Sequence, residues 1–242
     1  MRSLDTSSEN NYRFFRNNER QMKQRKAVSA GKQRDAIAAV ARDLFGREGY
    51  TRASMDRIAA DAGMSTRTIY NNFPSKAKLF DYVLRESATQ VSDTLDAKIA
   101  ALEGGGLEEQ LFALGMALVS QETDFAEHFR MVRQIVPEAH RVPPRTLAAW
   151  RDAGPRRRTQ AVADRLVLIG RDGGLEIEDP LRAATHFIAL TTSWVIETVY
   201  DASLADPDVV VVSVGEAVRV FVNGYAAKHT AGRPKRRAAA TA

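Results

Sequence analysis

One stretch limits the fold more than any other. It is Ser54-Met55-Asp56-Arg57-Ile58-Ala59-Ala60-Asp61-Ala62-Gly63-Met64-Ser65-Thr66-Arg67-Thr68-Ile69-Tyr70-Asn71-Asn72-Phe73. Met55, Ile58, Ala59 and Ala62 fall at i, i+3, i+4 and i+7, one apolar stripe on a short helix. Ser54 is suited to cap that helix, and Asp56 stands in its first turn, where the helix dipole favours an anion. Gly63 stops it, because glycine takes positive φ freely. Ser65 can cap a second helix, with Ile69 and Phe73 turned inward. Thr66, Arg67, Thr68, Tyr70, Asn71 and Asn72 then face outward. The pattern reads as a helix-turn-helix. Its outward set suits a DNA groove: Arg67 can pair bidentately with guanine, Asn71 or Asn72 with adenine, and the threonines and Tyr70 can reach phosphates or a thymine methyl. A polar helix face that meets only water would look the same in isolation, so the flanks decide.

Upstream, Ile37, Val40, Ala41, Leu44 and Phe45 hold a helical stripe from about Lys32 to Arg47, ended by Gly49. Downstream, Pro74 closes the recognition helix. A helix of about 27 residues, roughly 40 Å long, then runs to Leu102. Phe80, Leu84, Ala88, Val91, Leu95, Ile99 and Leu102 form its stripe. Lys76 stands at its first turn beside Lys78, placed to meet a phosphate.

The run from residue 34 to about 85 resembles the DNA-binding domain of TetR-family transcriptional regulators. The resemblance rests on Ala36 to Phe45, Gly49-Tyr50-Thr51, Ser54 to Ala59, Ala62-Gly63-Met64-Ser65, Thr68-Ile69-Tyr70 and Phe73-Pro74-Ser75-Lys76-Ala77-Lys78-Leu79-Phe80, in that order. From Phe129 to Pro180 the spacing is similar to the subgroup with an AefR-like C-terminal domain. The resemblance implies an all-α fold in which an N-terminal three-helix helix-turn-helix domain is joined by a long helix to a helical-bundle ligand-binding and dimerisation domain. It implies DNA contacts from Ser54, Ser65, Thr66, Arg67, Thr68, Tyr70, Asn71, Asn72 and Lys76. It also implies a homodimer paired through about 179–228, a near-palindromic double-stranded operator and a small-molecule effector. Arg67, where Lys or a small residue is frequent, and Asn71-Asn72, where His or an aromatic is common, depart from the usual family pattern and bear on operator sequence.

The expected divisions are a basic arm over 1–31, the DNA-binding domain over 32–85, the ligand-binding and dimerisation domain over 86–228 and a basic tail over 229–242. The arm mixes Asn, Arg, Lys and Gln without an apolar period and reads as disordered. Its Tyr12, Phe14 and Phe15, interleaved with Arg13 and Arg16, could follow phosphates. Charge follows these divisions. Residues 1–33 carry a net +5, 34–80 a net +3, 81–227 a net −8 and 228–242 a net +5. A basic end and an acidic body suit a protein that holds a polyanion at one end.

In the body, apolar periods place helices at about Leu107 to Ser120, Phe125 to Val136, Arg145 to Asp152, Pro155 to Gly170, Asp179 to Tyr200 and Pro207 to Lys228. On the second of these, Phe125, Phe129, Val132 and Val136 form the apolar face. Leu181, Ala184, Ile188, Thr191, Val195 and Val199 share a face of the fifth. The run Val209 to Val212 has strand propensity, but the longer period through Val214, Ala217, Phe221 and Tyr225 is helical. Arg156-Arg157-Arg158 read as a solvated face. Phe112, Met116, Phe125, Phe129, Trp150, Phe187, Thr191 and Trp194 are the stock from which an apolar pocket could be lined, though core packing would use the same residues.

Catalytic and metal chemistry find little purchase. There is no GxSxG, P-loop or HExxH, and Gly104-Gly105-Gly106 lacks the lysine and strand of a nucleotide loop. His128 with Asp124 and Glu127 offers too few ligands, so no metal, cofactor or enzymatic activity is expected. The chain has no cysteine and no apolar run near the roughly 18 residues a membrane span needs. Its start has no secretory core, so a cytoplasmic site is expected. Two other readings share these features: a non-specific basic DNA-coating protein, and a helical ligand-binding protein or enzyme with a vestigial helix-turn-helix.

Overall fold

The computed structural model describes residues 31–171, 174–195 and 206–226. The basic arm before residue 31, the tail after 226 and the stretch expected to continue a helix to Tyr200 lie outside the described residues. Among the described residues the backbone is helical, without a strand. The one extended contact is an isolated antiparallel bridge between Leu175 and Ala226. The elements are α1 (31–52), α2 (Met55–Asp61), α3 (Thr66–Asn72), α4 (Lys76–Ala100), α5 (Leu107–Asp124), α6 (Ala126–Glu138), a 3-10 turn (Ala139–Arg141), α7 (Pro144–Ala153), α8 (Pro155–Gly170), α9 (Pro180–Thr192) and α10 (Pro207–Tyr225).

The chain folds into two compact units, and the division does not follow chain order. The first takes residues up to Ser87 together with Glu127–Ala148. The second takes Ala88–Ala126 and Ala149 onward. The helix α4 contributes to both, and α6 belongs with the helix-turn-helix.

In the first unit, Ile37, Leu44, Phe45, Ile58, Ile69, Leu79, Phe80 and Leu84 are fully buried. Phe80 packs edge-on against Phe45 with centroids 4.8 Å apart and tilts against Tyr50 at 4.8 Å. From α6, His128, Met131 and Ile135 are buried while Val136 is 71% exposed. The face offered by α6 is therefore rotated from the expected Phe125-Phe129-Val132-Val136 stripe. Two apolar periods overlap on this helix, and the one holding His128 wins. Its Nδ1 lies 2.8 Å from the Ser87 hydroxyl. Gly46 lies against α6, where a Cβ would stand at ordinary contact distance, 3.7 Å from the Met131 nitrogen. Pro137 does not break α6 but sits in its last turn. It is exposed, so water can meet the carbonyl one turn back that lacks an amide.

In the second unit, Leu95, Leu111, Leu114, Leu118, Val162, Leu166, Ala184, Phe187, Val214 and Phe221 build the core. Phe187 and Phe221 meet edge-on at 5.0 Å, and Phe221 stacks on Tyr225 at 4.5 Å. The valine run is helical: Val214, Ala217, Val218 and Phe221 are buried on α10, whereas Val211, Val212 and Val220 remain exposed. Leu181, expected on the inner face of α9, is 49% exposed. It stands in the first turn of α9.

Helices α5, α9 and α10 converge at Gly115. A Cβ built there would lie 2.8 Å from Val214 Cγ1 and 3.3 Å from Thr191 Cγ2. Overpacking such a contact costs about 2 kcal/mol. Gly115→Val is therefore expected to lower the urea-unfolding free energy by about that amount. An unchanged midpoint would show that the three helices can separate freely.

Candidate nucleic-acid interface

The helix-turn-helix is set by local bonds that the sequence dictates. The Ser54 hydroxyl accepts from the Arg57 amide at 3.2 Å and the Ser65 hydroxyl from the Thr68 amide at 3.1 Å, so each serine caps its helix. Gly63 takes φ +63° between them. Ile69 is buried beneath α3 and Phe73 at its end. The two helices are tied at their N-termini by a bond from the Thr66 hydroxyl to Asp56 at 3.1 Å.

The nine residues expected at DNA take two positions. Arg67, Tyr70 and Asn71 are exposed, Tyr70 to 48%, and project from α3. Ser54, Ser65, Thr66, Thr68, Asn72 and Lys76 are engaged in internal bonds. Thr68 pairs with the Ser65 hydroxyl at 2.8 Å. The Asn72 amide donates to Gln33 at 3.1 Å and to the Thr68 carbonyl at 2.9 Å, which anchors α3 to α1. Lys76, expected to meet a phosphate, turns its ammonium to the carbonyls of Thr51 and Ala53 at 3.1 and 3.0 Å, over the Tyr50 ring. It clasps the turn that leads into α2. The exposed cation of that helix start is Lys78.

The same turn is gripped from its other side by a residue the sequence did not single out. Glu138, at the end of α6, accepts from the Thr51 amide at 3.0 Å. Its carboxylate also covers Gly49, whose φ is +77° and where a Cβ would stand 3.0 Å from Glu138 Oε2. Arg141 reaches toward the Thr51 hydroxyl at 3.5 Å. Burial alone would raise the Glu138 pKa. Hydrogen bonds from Thr51 and the Tyr50 amide, with the Arg141 charge, outweigh it and hold the carboxyl below its ordinary value. A Glu after a Pro at a helix end carries no pattern that marks it as a partner of Thr51, 87 positions away.

The eight pocket candidates do not assemble as one lining. Phe187 is in the core of the second unit, with Phe112, Met116 and Trp194 packed against it. Thr191 is buried there, and its hydroxyl is taken by the Phe187 and Ile188 carbonyls at 2.8 and 3.3 Å. Phe125 and Trp150 are half-buried in the same unit. Phe129 belongs to the other unit, edge-on to His128 at 5.1 Å. A cavity of about 330 Å³ lies elsewhere, lined by Glu176, Glu178, Asp179, Arg182, Gly224, Tyr225 and Ala226, none of them expected. Among the described residues there is no grouping of three or more His, Asp or Glu able to hold a metal. No described helix is long and apolar enough to cross a membrane.

The Glu138 grip predicts a pH signature. A carboxyl with a depressed folded pKa contributes stability above the unfolded value of about 4.3, and that contribution is lost as pH falls through the folded value. Glu138→Gln is expected to lower unfolding free energy by about 1 kcal/mol at pH 7, screening by solvent keeping it at the low end for a charged bond. The gap between the two proteins should close as the pH is taken down towards about 3. A gap independent of pH would show that the carboxylate charge is idle at this turn.

Comparison with known proteins agrees with this geometry. Residues 37–83 match the model of bacterial regulatory proteins of the tetR family. Residues 109–227 match the model of the AefR-like transcriptional repressor C-terminal domain. The HTH-type transcriptional activator FasR of Mycolicibacterium smegmatis is 30% identical over 158 residues, 65% of this chain and 68% of that protein. An HTH-type transcriptional regulator of Mycobacterium tuberculosis is 31% identical over 107 residues, 44% of this chain and 48% of that protein. A solved TetR-family transcriptional regulator from Mesorhizobium loti superposes with a TM-score of 0.70 at 26% identity, covering 81% of this chain and 98% of that one. With a capped helix-turn-helix at one end and an AefR-like helical domain after it, the chain belongs to the TetR family and is a DNA-binding transcriptional regulator.

Proposed function

We propose that the chain is a ligand-responsive repressor that acts as a homodimer on a near-palindromic operator. The exposed face of α3 carries this reading. Arg67 and Asn71 read base edges in the major groove, and Tyr70 reaches the backbone or a thymine methyl. Ser54, Ser65, Thr66, Thr68, Asn72 and Lys76 fix the register of that face. Dimerisation through α9 and α10 is supported by exposed Leu181, Val211, Val212 and Val220, which form apolar surface on the two helices that the family pairs between chains. Two α3 helices then occupy successive major grooves about one helical turn apart. Repression is supported by the name of the matching C-terminal family, and FasR, named an activator, is the contrary precedent.

An effector held in the second unit favours one arrangement of the dimer, and DNA the other. Two continuous connections support a route for this coupling. The helix α4 runs from Lys76 beside the helix-turn-helix into the second unit, and the chain leaving α5 becomes α6, whose Glu138 holds the turn before α2. The protein is proposed to act in the cytoplasm without catalysing a reaction.

The test uses a duplex selected from a random pool by the intact protein, with a scrambled duplex for comparison. Replacing Arg67 and Tyr70 by Ala together is expected to weaken binding to the selected duplex by about 100-fold or more, each lost base contact being worth roughly 1–3 kcal/mol, while the scrambled duplex is little affected. Unchanged affinity would contradict the assigned face. Deleting residues 1–30 and 230–242 should leave the preference for the selected duplex in place. If the preference vanishes with those residues, the chain coats DNA through its basic ends.

A further inference from the structure

Of the three consecutive arginines that open α8, two have acidic partners. Arg156 pairs with Asp152 at 2.5 Å. Arg157 takes Asp93 at 2.7 Å and Asp96 at 2.5 Å. Arg158 turns inward instead of joining the solvated face expected of all three. Its Nε is sealed from solvent with no hydrogen-bond partner, and Glu122 acts on it through charge alone. Burial pushes its pKa down, with Glu122 pulling the other way.

Two further polar atoms of the second unit are also orphaned. Gln121 is 1% exposed, and its Nε2 donates to the Val91 carbonyl at 2.8 Å, yet its Oε1 has no partner. The Trp150 indole N–H has none either. A chain of contacts links the three positions. The Arg158 amide bonds the Gly154 carbonyl, so the two share a turn. A Cβ at Gly154 would lie 3.9 Å from Trp150 Nε1 and 3.2 Å from Ala88 on α4. Ala88 is one turn from Val91, which holds Gln121.

A sealed guanidinium Nε without a hydrogen bond, an unpaired N–H and an unpaired carbonyl are each costly to a fold that gets nothing in return. The donor set is specific. A planar fork of N–H groups and an indole N–H match the two oxygens of a carboxylate, while Gln121 Oε1 accepts from a hydroxyl or N–H. The neighbouring positions along the chain are apolar. Ala117 and Leu118 stand one turn before Gln121 on α5, Phe125 at the cap one turn after it, and Val162 one turn from Arg158 on α8.

We infer that Arg158, Trp150 and Gln121 form the polar end of a binding site for a small carboxylic acid with an apolar body. The inference deepens the ligand-responsive reading and rests on it for its regulatory use. It narrows the effector from any lipophilic molecule to an acid. It also assigns roles to Arg158 and Gln121, which composition and periodicity do not mark.

The experiment measures binding to the intact chain at pH 7 by calorimetry. The probes are octanoate, decanoate, benzoate and 3-phenylpropionate, each beside its primary amide. At least one acid is expected to bind about tenfold or more tightly than its amide. That preference should vanish in Arg158→Met and fall sharply in Arg158→Lys, which keeps the charge but loses the fork. The lysine variant also answers the question if the methionine variant does not fold. Gln121→Leu should weaken the acid less than Arg158→Met does. No acid preferred over its amide, or a preference that survives both Arg158 variants, overturns the inference and leaves these atoms to water. A DNA arm separates the two readings. Arg158-dependent acid binding that leaves affinity for the selected duplex unchanged keeps the site and sinks the ligand-responsive reading. Release of the duplex by an amide but not by its acid does the reverse.

Discussion

The end of α1 and its exit, from Gly49 to Ala53, depend on two opposite charges, one from α4 and one from α6. Lys76 neutralises the carbonyls of Thr51 and Ala53, and Glu138 neutralises the Thr51 amide. A short turn before a helix leaves backbone groups without partners, and here side chains from α4 and α6 supply them. The direction in which α2 leaves the turn is thereby fixed, and the bond between Thr66 and Asp56 passes that direction on to α3. Few side chains remain outside this scaffold on α3. They are Arg67, Tyr70 and Asn71.

This arrangement divides the helix-turn-helix into residues that hold and residues that stay exposed. Asn72 has the chemistry to pair with adenine, yet its amide is spent on Gln33 and Thr68. Asn71, its neighbour, is exposed. Two adjacent asparagines of identical chemistry thus have different uses because a helix turns about 100° between them. Arg34, stacked 4.6 Å from Phe73 and 5.1 Å from Tyr82, is a second case of a basic side chain near α3 engaged in holding.

Much of this was legible in the sequence, because its periods were long or its stops unambiguous. The stripe from Phe80 to Leu95 is buried along α4 as its spacing requires, and Ser54, Gly63 and Ser65 cap and stop as their chemistry dictates. The α6 face was not legible, since Phe125-Phe129-Val132 and His128-Met131-Ile135 are both consistent with a helix. Only packing against Gly46 and Ser87 chooses between them. The surroundings of Lys76, Glu138 and Arg158 were not legible for a related reason. Where a long charged side chain finds its partner is decided by contacts distant in sequence, and local pattern carries no record of them.

The central claim is that α3 gives this chain sequence-specific hold on DNA, beyond the attraction of a basic end. Fluorescence anisotropy across a salt series, with the duplex that the protein selects and its scramble, tests it most directly. The account predicts binding to the selected duplex at least about 10³-fold tighter, with a steep negative slope of log K against log salt for both. Equal affinities at every salt concentration would contradict it, leaving electrostatic attraction as the whole of the interaction.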